Sequence, residues 1–219
     1  GLRSVQRCYL PGTLVLETVF ETDTGTVSLT DLMTLRLPGA AATRDDTSDL
    51  IRIVRGISGT VNMRMDLTLR FDYGASVPWV SRVSEATGTA AGPCDMPNCV
   101  LRAVAGPNMT TLRTPAPIRG ENLSTVADFR VAEGEAVPFV LTHSPSHLPL
   151  PESIDALEAQ VDNETRWRAW SDRCQGAGEW TEAVTRSLIT LKALTYHRTG
   201  GVVAAPTTSL PEQLGGVRN

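Results

Sequence analysis

Between Val61 and Asp72 the side chains alternate without a slip: Val61, Met63, Met65, Leu67, Leu69 and Phe71 are apolar, and Asn62, Arg64, Asp66, Thr68, Arg70 and Asp72 are polar. A period of two sends successive side chains to opposite faces, so this stretch predicts a long, half-buried antiparallel strand. The same pattern recurs upstream. Leu14, Leu16 and Phe20 alternate with Glu17, Val19 and Glu21, Asp23-Thr24-Gly25 supplies a turn, and Val27 and Leu29 resume the alternation, which reads as a β-hairpin. Residues 38–49 form a polar loop, and Leu50 to Gly56 reads as a further strand.

Residues 77–86 predict another strand, the loop from Gly92 to Cys99 interrupts, and 100–105, 109–114, 123–131 and 136–142 give short apolar or β-branched runs between Gly, Pro and Asn. About eight or nine strands with a turn signal every ten or so residues predict an antiparallel β-sandwich. No helical pattern intervenes, which disfavours a parallel βαβ sheet.

The period changes after Ser144-Pro145-Ser146-His147-Leu148-Pro149-Leu150-Pro151, a proline-rich connector. Pro151, Glu152 and Ser153 open a segment in which Ile154, Leu157, Val161, Thr165 and Trp167 or Arg168 recur at helical spacing, predicting a helix to about Cys174. Trp167 and Trp170 share a face and are read as packing anchors. Gln175 to Gly178 breaks the pattern. A second helix follows, with Trp180, Val184, Ser187, Leu188, Leu191, Leu194 and Thr195 on one face and Ala183, Ile189, Ala193 and Tyr196 over much of the other. A helix apolar on more than one side is normally wrapped by other helices, so the sequence reads as cut from something larger. Lys192, His197 and Arg198 suit its C-terminal end, Gly200-Gly201 terminates it, and Val202 to Pro211 is extended and uncharged.

Charge changes little in this picture. Twenty Lys and Arg against twenty-four Asp and Glu give a net charge of -4, and no basic run or basic-aromatic stripe occurs, which excludes a nucleic-acid-binding surface of the usual kind. No apolar run reaches the roughly 18 residues of a membrane helix, so no membrane span is expected. Cys94 and Cys99 bracket four residues of a Gly/Pro/Asn loop, without a second ligand pair to make a zinc site, and are read as a local disulfide or two free thiols. His143, His147 and His197 show no ligand spacing, and neither a metal nor a cofactor is expected.

The chain resembles a known family along most of its length. Thr199-Gly200, then Val202-Val203-Ala204-Ala205-Pro206-Thr207-Thr208-Ser209-Leu210-Pro211-Glu212 and Gly215-Gly216-Val217-Arg218-Asn219, are similar to the start of the catalytic domain of glycoside hydrolase family 15, the bacterial and archaeal glucoamylases and trehalases, with an extra glycine at Gly201. Tyr9-Leu10-Pro11-Gly12-Thr13, Leu16-Glu17-Thr18, Arg52 to Gly56, Arg70 to Gly74 and Trp167-Arg168-Ala169-Trp170 resemble that family's N-terminal sandwich and linker helix. The family's opening strands before the segment at Tyr9 are missing, and the sequence stops ahead of the Trp-Asp-Tyr-Arg run that holds the terminal glucose.

The resemblance implies a fold that is mainly β, an incomplete antiparallel sandwich of the super-sandwich type over 1–149, a linker helix over 150–176, and over 177–219 the first helix of a truncated (α/α)6 barrel. It implies a fragment of an inverting, exo-acting α-glucoside hydrolase that releases glucose from α-glucans or trehalose. Its two catalytic glutamates, roughly 6.5 to 9.5 Å apart, lie outside these residues, so the chain alone is expected to be inactive. Glu179, Glu182 and Glu212 match neither position. Pro206, Thr207, Thr208 and Ser209 are the expected edge of the sugar pocket, and Arg218 and Asn219 come next; their alternative role is to shape a turn between barrel helices. A cytoplasmic protein is implied, with homo-oligomerisation left open. The competing class is a non-catalytic carbohydrate-binding or docking sandwich, whose aromatic platforms would come from Trp79, Phe71, Tyr73, Phe129 and Phe139.

Overall fold

The structure is a computed structural model that describes residues 1–35, 47–89, 99–174, 178–196 and 199–204. The chain divides into two compact units, Gly1–Tyr9 with Val15–Asn163, and Leu10–Leu14 with Glu164–Asn219.

The first unit is antiparallel β-structure. Its strands are β1 (Leu2–Tyr9), β2 (Leu16–Thr22), β3 (Gly25–Met33), β4 (Ser48–Leu67), β5 (Trp79–Ser84), β6 (Cys99–Ala105), β7 (Asn108–Arg113), β8 (Ile118–Glu121), β9 (Ser124–Ala132) and β10 (Ala136–Pro145). Eight of them run in the order β1-β2-β3-β4-β10-β7-β6-β5, while β9 joins β4 on one side and β8 on the other. Both arrangements share β4. Its first part pairs with β3 and β10, and from Thr60 to Leu67 it pairs with β9.

The strands expected separately at 50–56 and 61–72 are therefore one continuous strand of 20 residues that ends at Leu67. Gly56 and Gly59 suggested a break, but they are where the strand bends from one layer to the other. A Cβ on Gly56 would lie 1.9 Å from the Ala132 carbonyl oxygen, and Gly59 has φ +64. Gly56 N donates to Glu135 O at 3.0 Å and Gly134 N to Gly56 O at 3.0 Å, so the backbone stays paired through the bend.

The alternation at 61–67 behaves as its period requires. Val61 is buried with Met63, Met65 and Leu67 packed beside it, and Asn62, Arg64 and Asp66 are exposed. These apolar side chains meet Val27, Val54, Leu101, Leu112 and Phe139 of the longer layer and Ile118, Ala127 and Val131 of the shorter one, which makes one core between two layers. β1 and β8 carried no readable pattern. Almost every β1 side chain is exposed, and a strand with no buried face leaves no alternation to detect.

The opposite face of the longer layer buries Ile51, Ile53, Val83, Val100 and Val140 together with Asp49, Thr111 and Thr142. The connector after β10 and the start of helix α1 (Ala156–Ser171) lie along it. Arg113 donates to Pro151 O at 2.6 Å, Arg55 to Gln160 Oε1 at 2.7 Å, and Asn163 Nδ2 to Met33 O at 2.7 Å. The helix starts later than Pro151 suggested. Asp155 caps it, its carboxylate accepting from the amides of Leu157 and Glu158 at 2.8 and 2.9 Å. Its buried positions are Ala156, Asn163, Trp167 and Ser171, whereas Leu157 and Val161, expected inside, are exposed.

In the second unit, Trp167 stands edge-on to Trp170 with centroids 6.1 Å apart. A short 3-10 turn (Gly178–Trp180) leads into α2 (Thr181–Ala193), where Arg186 donates to Thr13 O at 2.7 Å. Ile189, placed by periodicity on the secondary side, is fully buried, and Trp180 of the expected inner face is 67% exposed. The helix ends at Ala193, before Gly200-Gly201. The two glycines turn the chain back instead: Tyr196 N donates to Gly201 O and Val203 N to Leu194 O, each at 2.8 Å.

Candidate functional site

Pro206, Thr207, Thr208, Ser209, Arg218 and Asn219 lie outside the described residues. The structure follows the segment that leads to them as far as Ala204, through the Thr195–Val202 bridge. Glu179 and Glu182 sit with Trp180, Ala183 and Arg186 around an open depression of about 370 Å³. Both carboxylates are exposed to solvent, so this surface offers none of the dry enclosure that general acid catalysis uses. Among the described residues no group of His, Cys, Asp and Glu is arranged to hold a metal, and no helix is long and apolar enough to cross a membrane. Cys99 is disulfide-bonded, while Cys8 and Cys174 are free thiols.

The best-formed concavity lies in the first unit. Where β5 ends the longer layer and the β8–β9 hairpin ends the shorter one, the layers leave a cleft of about 520 Å³. Leu67, Leu69, Leu101 and Ile118 give it apolar walls, and Thr125, Ser124, Asn122 and Arg82 bring polar groups to it. Arg82 donates from Nη2 to Ile118 O at 2.5 Å and so ties β5 to β8. Gly120 contributes no side chain, and a Cβ built there meets nothing within 4 Å, which keeps the cleft open beside β8. At the mouth Trp79 is 79% exposed and Leu123 74% exposed.

The hairpin turn beside the cleft is strained. Asn122 and Leu123 have φ of 50 and 59, and a leucine in the left-handed region is an outlier that its surroundings must hold. Arg70 does so by donating to Leu123 O at 3.3 Å as well as to Leu69 O at 2.6 Å, and the Thr68 and Ser124 hydroxyls lie 2.6 Å apart. On the outer face of the hairpin Arg64, Arg119, Glu121 and Asp128 form an exposed ion network. The hydrogen bond from Arg119 holds the Asp128 carboxyl below its ordinary value, and the bond to Glu121 raises Arg64.

Of the five aromatic residues considered as platforms, Phe129 and Phe139 pack on each other at 5.4 Å and belong to the core. Phe71 is half-buried, and Trp79 and Tyr73 are exposed. Sequence reasoning named Trp79 but not Gly120, Arg82 or the hairpin. The signal available was Asn122 between two short runs, since Asn tolerates the left-handed conformation of a tight turn.

Comparison with known proteins now gives the region a context. No family model matches the chain. A trehalase of Mycolicibacterium smegmatis is 34% identical to it over 229 aligned residues, which cover 97% of this chain and 33% of that protein. The chain is similar to trehalases. A second one, from Mycobacterium tuberculosis, is 33% identical over 97% of this chain and 32% of its own length. The chain thus spans about a third of the length of the curated trehalases it matches. Among solved structures, a putative kojibiose phosphorylase from human microbiome matches with TM-score 0.33 and 8% identity, over 87% of this chain and 25% of that one. No residue is placed by that superposition.

Proposed function

We propose that the protein carrying this chain is a glycoside hydrolase that cleaves trehalose to two molecules of glucose, and that these residues form its β-domain, its linker helix and the first helix of an (α/α)6 barrel of the family 15 type. The observation that carries the reading is the 34% identity to a trehalase over 97% of the chain. In an inverting hydrolase one carboxylic acid protonates the glycosidic oxygen while a carboxylate takes a proton from the attacking water on the opposite face of the sugar. The exposed Glu179 and Glu182 supply no such pair, so the acid and base of this proposal belong to other parts of the protein. Pro206, Thr207, Thr208 and Ser209 are assigned to the edge of the glucose pocket, with Arg218 and Asn219 beside them. Trehalose is chosen over α-glucans because the matching relatives are trehalases.

The test is glucose release from trehalose, maltose and starch by the full-length protein and by the 219-residue chain alone. Activity on trehalose by the full-length protein only is the expected result. Glucose release by the chain alone, or none from trehalose by the full-length protein, overturns the proposal.

A further inference from the structure

We propose that the cleft between β5 and the β8–β9 hairpin is a sugar-binding subsite for short α-linked glucosides, apart from any catalytic pocket. The choice of sugar as ligand class rests on the hydrolase reading above; the existence of the site rests on geometry alone. At about 520 Å³ the cleft falls inside the roughly 300–1,000 Å³ range of small-molecule sites. A pyranose has faces of C–H groups and a rim of hydroxyls, so it is matched by an aromatic plane, apolar walls and a few convergent polar groups.

The cleft presents that combination. Trp79 lies at the mouth with 79% of its surface free, an unusual exposure for the side chain that gains most from burial. Leu67 and Ile118 line the walls, and the Thr125 hydroxyl and the Arg82 guanidinium face the sugar's rim. Arg82 uses one donor on Ile118 O, and its planar fork carries others. Gly120 is the second, independent observation. The open space above it is kept by the absence of a side chain, in a β8 whose inward neighbour Ile118 is buried. Strain at Asn122 and Leu123 fixes the hairpin that closes this end.

An extended peptide added along the β5 edge is the other occupant such a place could take. Sugar is favoured because the cleft is a bounded hollow with mixed lining, and because Trp79 stands where a ring would stack.

The experiment titrates the complete 219-residue chain with trehalose and with maltotriose, followed by tryptophan fluorescence and by amide chemical shifts. Saturable shifts are expected at residues 79–82 and 118–125. Trp79→Ala is expected to weaken binding by about tenfold, the loss of one good aromatic contact. Gly120→Leu is expected to abolish binding with the melting temperature unchanged, because the new side chain fills empty space. Trp180→Ala, which removes an exposed tryptophan of the second unit, is expected to leave binding as it was. A chain unmoved by millimolar sugar, a response that survives both cleft substitutions, or shifts produced only by an extended peptide overturns the subsite. Hydrolysis plays no part in this readout. A full-length protein inactive on trehalose whose chain still binds sugar at the cleft refutes the hydrolase and keeps the subsite.

Discussion

The Thr142 hydroxyl of β10 donates to the Asp49 carboxylate of β4 at 2.7 Å, with both residues buried. The other carboxylate oxygen accepts from Thr34 at 3.3 Å, so one acidic group joins β10 and β4 to the segment after β3. The Asp49 bridge is a polar group placed inside a face otherwise made by Ile51, Ile53 and Val140. Removing the carboxylate by Asp49→Ala orphans two hydroxyl donors, and the expected cost is about 2–4 kcal/mol. Urea unfolding checks it. A loss below 1 kcal/mol, on the order of an ordinary surface change, would show that the bridge is dispensable.

Gly56 is the position where β4 leaves one layer for the other. A methyl group there would overlap the Ala132 carbonyl oxygen, so Gly56→Ala forces the backbones of β4 and β9 apart. The expected destabilisation is about 3 kcal/mol or more, because the obstacle is backbone and does not repack. A thermal melt of the variant reads it directly, and an unchanged Tm contradicts the close approach.

Asn163 donates to Met33 O at 2.7 Å, and its own Oδ1 is buried with no hydrogen-bond partner. Asn163→Leu removes the orphaned acceptor but leaves the Met33 carbonyl without its donor. The two effects oppose each other, and a change within about 1 kcal/mol is expected. Asn163→Asp, in contrast, replaces the donor with a charge beside a carbonyl and is expected to be clearly destabilising. Equal effects for the two variants would contradict this geometry.

The exposed network on the β8–β9 hairpin makes a pH prediction. Asp128 is held below its ordinary pKa, first by the hydrogen bond from Arg119. A depressed carboxylate contributes stability above its unfolded pKa and loses that contribution as pH falls through the lower folded value. Wild type should therefore exceed Asp128→Asn slightly in Tm at neutral pH, and the gap should close in strong acid. Because these groups are exposed, added salt should shrink it at neutral pH too. A gap that widens on acidification reverses the sign of the argument.

Strand alternation was legible wherever one face met the core, as at Val61, Met63, Met65 and Leu67. It was silent for β1, whose side chains meet solvent on both faces. Helix faces were read less well. Periodicity put Leu157, Val161 and Trp180 inside, but Ala156, Asn163 and Ile189 are buried, since a helix with apolar groups on several sides offers more than one face to its neighbours. The segment expected to edge the sugar pocket, residues 206–209 with Arg218 and Asn219, carries a sequence resemblance alone.

By itself the sequence determined the antiparallel β character, the change to helix after Pro151 and the likeness to trehalases, because side-chain period and motif are local properties of the chain. Tertiary structure alone decided that two expected strands are one bent β4, that Asp49 and Thr142 meet, and that an open cleft stands beside Gly120. Each of these depends on which backbones approach from far along the chain, and no local pattern carries that information.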